Sequence, residues 1–100
     1  MEEFYNKINE LAQDLLVTAR TEKNITAETF EKFYNILIEL EHKMKGEEYI
    51  PRKLAGLLYF ISTSLSNEAN YCNYKDELFI AAAKVEDMVD KILWDSPFKH

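Results

Sequence analysis

A chain of 100 residues has room for one hydrophobic core, and 47% hydrophobic with 30% charged residues reads as globular, not disordered. The net charge of -6 argues against a surface that tracks nucleic-acid phosphates, because such a surface needs clustered Lys and Arg. Gly and Pro occur only twice each, too few for the many turns of a sheet protein, so a few long helices joined by short loops are expected.

The opening "MEEFYNKINEL" is acidic and helical, with neither the basic nor the apolar region of a secretion signal. Phe4, Ile8, Leu11, Leu15 and Ala19 recur at steps of three and four, which predicts a first helix over about 2–20. Thr26 follows in a short polar loop and is placed to cap a second helix over about 27–45. That helix carries Phe30, Phe33, Tyr34, Leu37, Leu40 or Glu41, and Met44 along its stripe. Glu28 in its first turn and Lys43 and Lys45 in its last suit the helix dipole. Gly46 sits where a left-handed residue ends a helix.

Pro51 suits the first turn of a third helix over about 51–67, where its missing N–H costs nothing. "PRKLAGLLYFISTSL" is the least polar stretch of the chain, with a stripe of Leu54, Leu58, Ile61 and Leu65 that Leu57 and Phe60 widen. Its apolar part falls far short of the roughly 20 residues of a membrane span. The expectation is that this helix is the most enclosed of the set, packed on two neighbours; the competing reading is an open patch for a partner. Asn73 offers a cap for a fourth helix over about 74–93, with Asp76 and Glu77 in its first turn. Leu78, Ala82, Val85, Met88 or Val89, and Ile92 form its stripe. The fold class expected is all-α: an antiparallel up-down four-helix bundle, a single domain with a short C-terminal tail.

The residues that could carry chemistry are few. Glu39 and His42 make one Glu-x-x-His step, but a di-metal bundle needs a second copy and two further glutamates, and the other histidine is His100. Cys72 is the only cysteine, so no internal disulfide forms and an intracellular location is expected. It lies at the mouth of the fourth helix, where a thiol pKa can fall, yet no histidine is near it in sequence. Adjacent Asp76 and Glu77 point apart on a helix, and Glu47 and Glu48 read as a solvated loop. No Gly-rich phosphate loop, paired-cysteine spacing or nucleophile elbow occurs. No catalysis, cofactor or metal is expected.

Aromatic placement is more distinctive. Tyr49 precedes the third helix, Tyr71 and Tyr74 flank the start of the fourth, and Trp94 and Phe98 stand in the final "WDSPFKH", where Pro97 ends any helix. These rings either cap the end of the bundle or anchor a partner, since Trp and Tyr are enriched at binding hot spots. The candidate partner-binding residues are Tyr71, Tyr74, Trp94, Phe98 and Lys99.

From about Thr26 to Leu93 the chain resembles the immunity proteins of pediocin-like (class IIa) bacteriocins, the enterocin A immunity type. The resemblance rests on length, the bundle pattern, "LYF" at Leu58 to Phe60 reached through "PRKLAGL", and "YKDEL" at Tyr74 to Leu78. The chain departs from many members in ending soon after Trp94. The resemblance implies a cytoplasmic bundle, either free or loosely membrane-associated, that protects a cell from an antimicrobial peptide. It implies action from inside on the membrane-embedded mannose phosphotransferase permease with bacteriocin bound, with specificity in the C-terminal half. The alternative is a small non-catalytic adaptor or regulatory bundle that oligomerises through the third helix, with Leu57 or Phe60 at the contact. A metal-binding bundle is a third reading.

Overall fold

The computed structural model describes residues 1–22, 24–70 and 76–94, and the described residues form four helices and no strand. These are α1 (Glu2–Glu22), α2 (Ala27–Met44), α3 (Arg52–Ala69) and α4 (Glu77–Leu93). The all-α four-helix expectation holds.

Local signals mark both ends of α2 and the starts of α3 and α4. Thr26 is extended, and its hydroxyl accepts the Thr29 N–H at 3.3 Å, the expected N-cap of α2. After Met44 the chain turns through Gly46 at φ +78, a left-handed conformation that costs a side-chain-bearing residue about 1 kcal/mol or more. Pro51 stands one position before α3, and its carbonyl accepts from Leu54 and Ala55 at 3.0 and 3.1 Å. The start of α4 departs from expectation. Asp76 is extended and precedes the helix as its N-cap, so it is not in the first turn. The proposed Asn73 cap lies outside the described residues.

The inward stripes close into one core. Ile8, Leu15, Phe33, Leu37, Leu40, Leu54, Leu58, Ile61, Leu65, Leu78 and Val85 are almost wholly buried. Leu40, not Glu41, holds the core position in α2, and both Met88 and Val89 are buried in α4. Ser62 is the one polar residue buried among the described ones, and no buried polar side-chain atom there lacks a partner.

The third helix corrects one expectation. Its stripe of Leu54, Leu58, Ile61 and Leu65 is buried, but Phe60 is 56% and Tyr59 67% exposed. Only Leu57 widens the packed face, as a half-buried neighbour of the core. The helix is therefore not enclosed on its outer side. A core this size accepts one stripe per helix, and Phe60 lies about 200° around the helix from Leu58.

Packing follows a ring. α1 lies against α2 and α3, and α4 lies against the same two helices. Lys53 reaches Glu2 at 2.9 Å, and Arg20 approaches Glu68 at 3.6 Å, so α1 and α3 are parallel neighbours. Chain direction still alternates up and down, and the 45–51 connection joins helices at opposite corners of the ring. The bundle thus has two parallel pairs, α1 with α3 and α2 with α4.

Leu58→Ala should cost about 2–5 kcal/mol by emptying a fully buried site. A melting-temperature fall much larger than that of Gly46→Ala, at about 1 kcal/mol, is the expected calorimetric outcome.

A candidate docking surface at the Trp94 end

Because α2 and α4 run parallel, their C-terminal ends lie side by side, and the residues that turn toward α3 lie beside them. Glu41 and Met44 of α2, the Lys45–Glu48 turn, and Lys91 to Trp94 together line a cleft of about 860 Å³. Met44 and Ile92 bring buried apolar surface to it, and Leu93 is 40% exposed. Glu41, Glu47 and Glu48 line it together with Lys45 and Lys91, so the walls carry both signs of charge. Lys91 is further held by Asp87 one turn back, at 3.5 Å.

Trp94 stands at the edge of this cleft. Its N–H donates to the Asp90 carbonyl at 2.8 Å, closing the last turn of α4. Its backbone then becomes extended, and the residue is 60% exposed. A ring partly packed and partly in water suits a contact site: the packed side fixes its position while the open side offers apolar area. Tyr49, in the adjoining connection, is 84% exposed. Of the candidate partner-binding residues, Trp94 is the one that lies among the described residues. Tyr71, Tyr74, Phe98 and Lys99 lie outside them, as does Cys72.

The other sequence candidates come apart. Glu39 and His42 are exposed, and His42 Nε2 is 3.8 Å from Glu41 Oε2, with no third ligand gathered there. Among the described residues no group of three or more His, Cys, Asp or Glu side chains is arranged to hold a metal ion. Nor is any helix there long and apolar enough to cross a membrane. Periodicity could not locate the cleft, because Met44 and Ile92 read only as the ends of core stripes. Its walls meet because α2 and α4 are parallel neighbours, a fact of helix order.

No family model, no curated protein and no solved structure matches the chain.

Trp94 is the only tryptophan, so its fluorescence reports this site alone. Ready quenching by acrylamide is expected in the folded protein, together with a stability loss under about 1 kcal/mol for Trp94→Ala. A blue-shifted, unquenched emission would return the ring to the core.

Proposed function

We propose that the protein is a bacteriocin immunity protein that acts without catalysis, by docking the Trp94 end of the bundle onto a membrane receptor complex. The receptor is the mannose phosphotransferase permease with a pediocin-like peptide bound, approached from the cytoplasm. The resemblance supplies this identity; what supports it physically is the exposed Trp94 beside a cleft with mixed-charge walls. A rigid bundle can present such a surface at little ordering cost. The identity of a few rim side chains can then change the partner without disturbing the core, and clashes against wrong partners sharpen the choice.

Protection works in this reading by occupancy. The bundle has no span of its own among the described residues, so it meets the permease at the cytoplasmic face and holds the peptide-bound pore shut. Residues Tyr71, Tyr74, Phe98 and Lys99 belong to the same proposed contact, on the strength of the sequence alone. The alternative reading, an oligomerising adaptor, draws support from the exposed Phe60 on α3.

Expression in a sensitive bacterium should preserve survival under at least one member of a panel of pediocin-like peptides. Trp94→Ala should weaken docking by about thirtyfold, the effect of losing a hot-spot side chain of about 2 kcal/mol. It should do so while melting close to the parent protein. Failure to protect against every peptide in the panel would overturn the immunity reading.

A further inference from the structure

The layer opposite the Trp94 cleft, made by α1 and α3, carries a surface of a different kind. From Leu54 to Asn67 α3 has no charged residue, about four turns of helix in a chain that is 30% charged. On its outer side Gly56 and Phe60 are exposed and Ser64 half-buried, spaced four apart in one row. Along α1, the row that runs from Glu2 to Arg20 beside α3 passes through Asn6, Asn9, Gln13 and Leu16, again without charge. The contrast with α2 and α4 is direct. Their outer faces carry the ion pairs Glu28–Lys32 and Asp87–Lys91.

Two features of this face bear on what covers it. First, charge stands only at its corners, and there it alternates: Glu2 and Lys53 at one end, Arg20 and Glu68 at the other. Acid and base exchange places between the helices from end to end. A two-fold axis lying in the face and across the helices sets Lys53 against Glu68 of a second copy and Glu2 against Arg20. The pattern is therefore complementary to itself. Each corner charge is already paired within its own chain, and Lys53 also lies 4.4 Å over the Tyr5 ring. Its pKa is raised above 10.5 mainly by the hydrogen bond it gives Glu2, so it stays charged. Second, Gly56 has no task inside the monomer. A Cβ built there meets nothing within 4 Å, and its backbone is ordinary helix. Glycine in a helix interior is destabilising, and close approach of another helix is the use that remains.

We propose that the α1/α3 face is a self-association surface, on which two copies pair about a two-fold axis that crosses α3 near Phe60. Under that axis α3 meets its mate antiparallel. Phe60 packs on the partner's Phe60, and Gly56 faces the partner's Ser64, since each pair is centred on position 60. The small residues let the backbones close in while the rings fill the middle. Two helices about 10 Å apart and about 27 Å long offer roughly 500 Å² in plan, more once side chains corrugate it. That approaches the roughly 800 Å² per partner of a standard interface, which fits a reversible dimer. The inference does not depend on the immunity reading.

Sedimentation equilibrium of the full chain from micromolar to millimolar concentration tests it. A monomer–dimer equilibrium is expected, weakened at least about tenfold by Phe60→Arg, which puts two like charges on the axis. Gly56→Gln supplies a second, independent arm. It should raise the melting temperature measured at low concentration, because Gln is the better helix former, yet weaken association by crowding the contact. A monomer at all concentrations, or a dimer that neither variant weakens, overturns the proposal. So does a monomer that binds phosphatidylglycerol vesicles through Phe60, which would assign the face to lipid.

Discussion

A bundle of four short helices has a core only as wide as one stripe from each, and that limit governs everything else about the molecule. The stripe takes residues three and four apart, and any large apolar side chain off it must face solvent or another molecule. In α1, α2 and α4 the outer positions are mostly polar or charged, with Val17 of α1 and Phe79 and Ile80 of α4 the large apolar side chains left exposed away from the helix ends. In α3 apolar side chains outnumber inward places. Leu54, Leu58, Ile61 and Leu65 fill the core, Leu57 leans on its edge, and Tyr59 and Phe60 are left outside. The opposite limit acts at the end of α4, where the helix stops at Leu93 and Trp94 remains half outside the packed volume.

Helix order then decides which outside residues meet. Had each helix packed on its successor, the end of α2 would lie beside the start of α3. The connection across the ring places it beside the end of α4 instead, and the cleft at Trp94 results. The same order puts α1 and α3 side by side in parallel. That brings Glu2 to Lys53 and Arg20 to Glu68, pairs separated by about fifty residues in sequence. Exposed ion pairs of this kind contribute little stability, typically under about 1 kcal/mol each. Their part is to fix the corners of a face with alternating sign.

Much of this was legible from residue spacing, and the remainder was not for identifiable reasons. The stripes of all four helices, the Thr26 cap and the left-handed Gly46 follow from local rules that tertiary context did not override. The start of α4 was harder, because Asn73 and Asp76 are both good caps by residue type; Asp76 is the one that stands two residues before buried Leu78. Phe60 was misplaced because a run of apolar residues looks alike on every side, whereas only its angle from Leu58 decides which side is covered. Ring order lay beyond spacing altogether, since every helix has the same kind of stripe and any two would fit. With it the cleft was hidden too: Trp94 was visible as an unusual aromatic, but not the residues that surround it.

The two surfaces do not compete. The cleft belongs to α2 and α4 with their connection, and the uncharged face belongs to α1 and α3, the other layer of the bundle. Two copies joined through α1 and α3 would turn their clefts outward, each open to a partner. Because the two copies are antiparallel, their Trp94 ends lie at opposite ends of the pair, so pairing leaves each cleft to dock on its own and adds no avidity at a single membrane face. The uncharged face suits a reversible pairing better than a strongly apolar one. Asn6, Gln13 and Asn67 are exposed polar residues on the same face as Phe60, and the absence of charge between the corners lessens the local repulsion between two chains of charge -6 at contact.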